Sequence, residues 1–178
     1  MGLLDLLKRK IHVANSASIA ALPAAGEAMS RAGLKFSGKA GLCYRATNHC
    51  RDAITEMTRR PGGYVITTRC NSTDDSYGCA WILFEGDLPA VASSATTSFD
   101  HLAARGCEPS FLCAAFAYEK DGKKIYWIYN RNGKFYPFAP DGEQRDNELE
   151  LNLKRELEGS IPVEGILSIW YPLWGMPI

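Results

Sequence analysis

Features that would point directly to a common function are missing from this 178-residue chain. Its 20 basic and 20 acidic residues leave no net charge, so the basic excess of a nucleic-acid-binding domain is absent. No apolar run reaches the roughly 18 residues of a membrane-spanning helix. The short apolar run Leu3–Leu7 precedes its basic residues, which is the wrong order for a secretory signal. These absences favour a cytoplasmic protein that does not bind nucleic acid.

The sequence also lacks the usual signatures of catalytic and cofactor sites. Pro61-Gly62-Gly63 precedes a β-type segment, whereas a phosphate-binding loop precedes a helix and carries Lys-Ser or Lys-Thr. The chain contains no Gly-x-Ser-x-Gly motif. Its three histidines, His12, His49 and His101, give no preferred Cys–His pair. We predict no catalytic, cofactor-binding or metal-binding residues; the alternative is a small thiol- or metal-dependent enzyme that uses Cys and His.

Cysteine is more frequent, but its spacing is uninformative. The six cysteines are Cys43, Cys50, Cys70, Cys79, Cys107 and Cys113. No Cys-x-x-Cys pair occurs, so no common zinc pattern is present. A chain of this size does not need disulfides to fold, and buried reduced thiols are the simplest interpretation. Asp74 and Asp75 lack the further oxygen ligands of a calcium loop and are expected at a solvated loop tip.

The apolar fraction of 46% is sufficient for one globular domain, and turn signals indicate its sheet. Asp121-Gly122 and Asn132-Gly133 predict a meander of three strands over residues 111–138. A further hairpin is predicted from Tyr64–Thr68 and Tyr77–Phe84, across a polar loop. Because the strands follow one another through hairpins, the fold class predicted is α+β with an antiparallel sheet and packing helices.

Helical periodicity predicts the elements that pack on this sheet. Asn48 is expected to cap a helix that buries Cys50, Ala53, Ile54 and Met57. Asp87 is expected to cap the clearest helix, which ends before Gly106. A third helix is indicated by leucines at positions 149, 153 and 157, with Asn147 and Glu150 as a capping box.

The sequence predicts an amphipathic N-terminal segment at residues 1–12, followed by a single globular domain at 13–178. Leu3, Leu4, Leu7 and Ile11 fall at helical spacing, and basic residues follow the first leucines. The segment is interpreted either as a helix that docks on a membrane surface or a partner, or as a helix packed on its own domain.

Aromatic residues give the strongest indication of a binding surface. They are concentrated in the last strands and in the tail, and charged residues stand between the two regions. The predicted partner-binding residues are Tyr136, Phe138, Arg145, Asp146, Trp170, Tyr171 and Trp174. An exposed aromatic patch would mark an interaction site. In the alternative interpretation the tail closes the core, Asp146 or Asn147 caps a helix, and Arg145 pairs with a carboxylate.

Several of these motifs resemble one small prokaryotic family. They are Met1-Gly2-Leu3-Leu4, Gly41-Leu42-Cys43-Tyr44-Arg45-Ala46, Tyr136-Pro137-Phe138-Ala139-Pro140, Arg145-Asp146-Asn147 and Trp170-Tyr171-Pro172-Leu173-Trp174-Gly175. In these motifs the chain resembles the PspAB family, which is associated with phage shock protein A (PspA). The match touches both ends of the chain.

The resemblance implies a fold and a role. It implies a compact α+β protein similar to type III secretion chaperone-like or YbjN-like domains, which often dimerise. It implies a non-enzymatic accessory factor in envelope stress, without catalytic residues or a cofactor. The implied partners are a PspA-type coiled-coil protein and, indirectly, an HtpX-type membrane protease. Contact with the inner face of the membrane would then involve residues 1–12.

Overall fold

The computed structural model describes residues 15–178, which form one α+β domain around a six-stranded antiparallel sheet. The strands are β1 (Lys35–Arg45), β2 (Arg69–Asp74), β3 (Cys79–Glu85), β4 (Phe111–Lys120), β5 (Lys123–Asn130) and β6 (Phe135–Phe138). Their order across the sheet is β2-β3-β1-β4-β5-β6. A two-stranded ribbon, β7 (Pro140–Asp141) and β8 (Gln144–Arg145), follows β6. The predicted fold class is confirmed.

Helices pack on one face of this sheet, here called the inner face. They are α1 (Ala17–Ala21), α2 (Gly26–Arg31), α3 (Asn48–Arg59), α4 (Leu88–Ala104) and α5 (Asn147–Leu157). The largest hydrophobic cluster joins their apolar sides to alternate strand residues such as Leu42, Phe116 and Trp127. The buried face of α3 is the predicted one, with Cys50, Ala53, Ile54 and Met57 inside.

The outer face has a separate apolar cluster and no packed helix among the described residues. Because side chains alternate along a strand, Cys43, Cys113 and Tyr136 point away from the helices. The C-terminal residues Trp170, Leu173, Trp174, Met176 and Ile178 cover this cluster. The carboxyl-terminal segment therefore replaces a second layer of helices.

The position of this segment is fixed along the free edge of β6. Phe135 accepts a hydrogen bond from the Glu164 N–H at 2.7 Å and donates to the Pro162 carbonyl at 2.8 Å. Pro137 lies on β6 and removes one backbone donor, which an edge strand tolerates. Residues 162–178, here called the C-terminal strap, thus pass from this edge onto the outer face.

The predicted hairpin at residues 64–84 is wrong in its first strand. Strand β2 occupies Arg69–Asp74, where a polar loop was expected, and pairs with β3 from Arg69 opposite Glu85 to Asp74 opposite Ala80. Residues 61–64 instead form a 3₁₀ turn, after which Val65 is left-handed with φ 58°. The 3₁₀ turn and the left-handed Val65 prevent a strand from forming over residues 64–68. Strand β2 can form from polar residues because an edge strand is held by backbone hydrogen bonds and tolerates polar side chains.

Two helix starts differ from the predicted ones by one residue. The N-cap of α3 is Thr47, whose hydroxyl accepts from the Cys50 N–H, and not Asn48. The N-cap of α5 is Asp146, so Asn147 and Glu150 do not form a capping box. Glu150 points inward because Arg145 offers it a charged partner. The Asp87 cap of α4 is confirmed, with an Ala90 N–H bond of 2.8 Å.

The predicted amphipathic segment 1–12, with Leu3, Leu4, Leu7 and Ile11, lies outside the described residues. Within residues 15–178, no helix has both the length and the apolar character needed to cross a membrane.

Candidate functional site beneath the C-terminal strap

Trp170 anchors the strap to the sheet. Its indole stacks on Tyr136 with ring centroids 5.8 Å apart and planes inclined by 17°. The indole N–H donates to the Glu164 carbonyl at 3.1 Å, and the Tyr136 hydroxyl donates to the Tyr171 carbonyl at 2.9 Å. Burial raises the pKa of Tyr136 further above neutral pH, and its hydroxyl is a hydrogen-bond donor. Both polar atoms are therefore satisfied inside an apolar contact.

An ion pair with a buried carboxylate joins β8 to α5 and contacts the strap. Arg145 donates from Nε to Glu150 Oε1 at 3.0 Å and from Nη2 to Oε2 at 2.7 Å. Glu150 also accepts from the Ala139 N–H at 2.8 Å. The remaining Arg145 nitrogen donates to the Trp170 carbonyl, and its guanidinium lies 5.5 Å from the Phe138 ring centroid. Arg145 therefore connects helix, sheet and strap.

The predicted partner-binding residues divide into a buried base and an exposed rim. Tyr136, Phe138 and Trp170 are buried, and Arg145, Asp146 and Trp174 are half-buried. Asp146 caps α5 through the Leu149 N–H at 3.0 Å and pairs with Lys123 at 2.7 Å. Tyr171 alone among the seven is exposed, at 63%.

The rim continues along the strap. Ile166 is 46% exposed and Leu167 is 51% exposed, on the approach to Tyr171. Periodicity did not single these two residues out, because the strap has no regular secondary structure apart from one 3₁₀ turn at Leu167–Ile169. The sequence feature that could have identified them is the presence of apolar side chains in a segment without regular secondary structure.

A pocket of about 280 Å³ opens between the strap and the β2–β3 hairpin. Its walls are formed by Tyr77, Trp81, Leu112, Pro172, Leu173, Trp174 and Met176. Cys43, Cys79, Cys113 and Asp75 also line it. The pocket is thus mainly apolar, with its thiols and one carboxylate close together.

Strand pairing explains why three cysteines meet here. Cys43 on β1 lies directly opposite Cys113 on β4. It lies opposite Trp81 on β3, so Cys79, two residues earlier, is its diagonal neighbour on the same face. The neighbouring Cys113 thiol, together with burial, raises the pKa of Cys43 well above the ordinary range. Burial raises the pKa of Cys79 to about 12.

Asp75 is held at the edge of this cluster and is half-buried, so the predicted solvated loop tip is wrong for this residue. Its carboxylate accepts from the N–H groups of Tyr77 and Cys79, both at 2.9 Å, and from the Trp81 indole at 2.8 Å. Desolvation raises the pKa of Asp75, but these bonds outweigh it and lower the pKa overall. The side chain therefore carries a fixed negative charge.

The cysteine cluster was not predicted because the sequence places its members far apart. Alternation within a strand predicts which residues of that strand share a face, for example Cys43 and Gly41 on β1. It does not predict which strands lie next to β1, and therefore which cysteines lie next to Cys43. The histidines of the described region lie elsewhere: His49 is on α3 and His101 on α4, across the sheet from the cluster. A dyad of either histidine with Cys43, Cys79 or Cys113 is thereby excluded.

Glu164 should make anchoring of the strap sensitive to acid. This buried carboxylate accepts from the amides of Asn130 and Asn132 at 3.0 and 3.1 Å and from the Ile166 N–H at 3.1 Å. Desolvation raises its pKa, but these donors prevail and lower the pKa below its ordinary value of 4.5. The stabilisation is complete above pH 4.5 and is lost as the pH falls through the lower, folded-state pKa.

We therefore expect Glu164→Gln to lower the free energy of unfolding by about 1–3 kcal/mol at pH 7. The difference from wild type should shrink as the pH falls below 4.5, as measured by urea unfolding at several pH values. Glu148→Gln, at an exposed helix position, is the matched control and should have little effect. A difference for Glu164→Gln that does not change with pH would contradict this assignment.

Comparison with known protein families gives a match that includes the motifs of the strap and of the sheet. The family model described as PspAB, PspA associated protein B, matches residues 1–178. No curated protein and no solved structure matches the chain. The match covers the strap, the ion pair and the cysteine cluster together. The chain therefore belongs to the PspAB family.

Proposed function

We propose that this protein is a non-enzymatic accessory factor that binds a PspA-type coiled-coil protein through the exposed rim of its C-terminal strap. The family is named for its association with PspA, which supports a protein partner. The observation that carries the proposal is the set of exposed apolar side chains, Ile166, Leu167 and Tyr171, which are close in sequence on the anchored strap.

The anchoring matters because it limits the entropy lost on binding. Trp170 stacks on Tyr136, and Arg145 binds the Trp170 carbonyl, so the backbone beside the rim is already fixed. A preordered surface loses less side-chain and backbone freedom when a partner binds. Tyrosine, here Tyr171, is one of the residue types enriched in binding hot spots.

An amphipathic helix is the partner element that suits this surface. A coiled-coil protein offers apolar side chains at helical spacing, which can lie along a hydrophobic row and place one side chain in an adjacent pocket. The pocket of about 280 Å³ between the strap and the β2–β3 hairpin lies beside the rim and has a largely apolar lining. Trp174 and Met176 form part of its wall.

The wider assignments belong to the same proposal. The protein would act in the response to envelope stress from the cytoplasm, and an HtpX-type membrane protease would be an indirect partner. Residues 1–12 would supply peripheral contact with the membrane. A homodimer, as the family resemblance implies, is a further part of the proposal.

Light scattering coupled to size-exclusion chromatography tests partner binding. The full chain is mixed with the PspA homologue from the same organism, and a stable complex is expected. Leu167→Ser combined with Tyr171→Ser should weaken binding about tenfold or more, because it removes two exposed apolar contacts. Isothermal titration calorimetry of the same pair gives the change in Kd.

Leu151→Ser is the matched control, since this leucine is 38% exposed on α5 and lies away from the strap. It should bind the homologue as wild type does. If the wild-type chain formed no complex with the PspA homologue, the proposal that PspA is the partner would be refuted. Equal weakening by Leu151→Ser and by the strap variant would refute the surface while leaving the partner intact.

A further inference from the structure

The thiols and carboxylate on the outer face have the composition of a metal site. The ligand atoms of Cys43, Asp75 and Cys79 all lie within 4.8 Å of one another. In tetrahedral zinc sites, bonds of about 2.3 Å to sulfur place neighbouring sulfurs roughly 3.8 Å apart. The present separations therefore require only small side-chain adjustments to reach that geometry.

A fourth ligand is available from the next strand. Cys113 lies directly opposite Cys43 in the sheet and lines the same pocket as Cys43, Asp75 and Cys79. Cys43 and Cys113 are on the two central strands, β1 and β4, and Cys79 begins β3, so all three thiols stand on paired backbone. Sites built on strands hold their ligands more firmly than sites built on loops.

Asp75 already has the supporting contacts of a metal ligand. Two backbone N–H groups and the Trp81 indole orient its carboxylate toward the thiols. Hydrogen bonds of this kind fix ligating groups in metalloproteins and are needed for full affinity. A carboxylate has about four acceptor positions, so three donors leave one free for a cation.

We propose that Cys43, Cys79 and Asp75, with Cys113 as fourth ligand, bind Zn²⁺ beneath the C-terminal strap. Thiolates with a carboxylate suit Zn²⁺, which accepts both sulfur and oxygen, whereas Cu⁺ favours soft ligands alone. The pocket between the strap and the β2–β3 hairpin provides an entry path. Four protein ligands close the coordination shell, so the site is structural and links three strands to the hairpin turn.

Titration of the reduced, full-length protein with Co²⁺ tests this proposal. Cobalt replaces zinc in tetrahedral thiolate sites and gives a sulfur-to-metal charge-transfer absorption. We expect about one Co²⁺ per chain, displaced by Zn²⁺, with release of protons from the coordinating thiols. Zn²⁺ at about one hundred times Kd should raise Tm by roughly 5–10 °C.

Cys79→Ser is the informative variant, since Cys79 is half-buried and its loss leaves little cavity. It should bind Co²⁺ more than about 100-fold more weakly, a larger loss than substitution of a residue that only hydrogen-bonds to a ligand produces. Cys70→Ser, at a half-buried position that packs toward the inner face, is the matched control and should retain binding. Asp75→Asn should weaken binding while keeping the fold, which circular dichroism checks.

Two results would overturn the proposal. The first is a wild-type protein with no thiolate–cobalt absorption. The second is equal Co²⁺ affinity in the wild type and in Cys79→Ser. Either result is independent of partner binding, because both titrations use the isolated chain.

Discussion

Replacing Arg145 with Met is expected to lower the free energy of unfolding by about 3–5 kcal/mol. The substitution keeps most of the side-chain volume but leaves the Glu150 carboxylate, only 2% exposed, without its charged partner. An unpaired charge at such a site is far more unfavourable than the ion pair is favourable. The Trp170 carbonyl loses its donor at the same time. Urea unfolding followed by tryptophan fluorescence measures the change.

A second substitution separates charge burial from lost packing. Arg145→Met combined with Glu150→Met removes both charges, so the double variant should be more stable than Arg145→Met alone. Arg69→Met is the matched control for the same chemical change at an exposed pair with Glu85, and it should have little effect. A loss for Arg145→Met no larger than that for Arg69→Met would show that the buried pair contributes little.

Trp170→Ala is expected to destabilise the protein by about 3–5 kcal/mol, as large aromatic truncations in cores do. Trp170 is 6% exposed and covers Tyr136, so its removal opens the outer-face cluster to water. The indole bond to the Glu164 carbonyl is lost as well. Chemical denaturation gives the free energy, and dye binding by exposed apolar surface gives an independent measure.

The adjacent residue provides the control for this prediction. Tyr171 is 63% exposed, and it is its backbone carbonyl that accepts from Tyr136. Tyr171→Ala therefore keeps that hydrogen bond and should change stability by less than about 1 kcal/mol. In the proposed function it weakens partner binding instead. If Trp170→Ala and Tyr171→Ala lowered the stability equally, Trp170 would have no special role in anchoring the strap.

The sheet was predictable in the region where turn chemistry and alternation agree. Asp121-Gly122 and Asn132-Gly133 lie in the turns that connect β4, β5 and β6 as expected, and φ is positive at Asp121, Gly122 and Gly133. Strand β2 was misplaced because its polar sequence at 69–74 carries no apolar alternation. As an edge strand it is stabilised by backbone hydrogen bonds to β3, and these leave no signature in side-chain type.

The candidate site was predictable in part. The concentration of aromatics in the strap indicated a special surface, and the alternative interpretation, with Asp146 as helix cap and Arg145 paired with a carboxylate, is confirmed. Which aromatics are buried could not be predicted, since Trp170 and Tyr171 are equally aromatic neighbours. Their separation depends on the Tyr136 ring, which lies on a strand distant in sequence.

The sequence alone determined the α+β class, the main turns, the apolar faces of the helices and the family motifs. Local preferences and periodicity decide these features within short windows of the chain. Only the tertiary structure decided that Cys43, Cys79, Cys113 and Asp75 meet on one face. Strand order and register set that arrangement, and they depend on contacts between residues far apart in sequence.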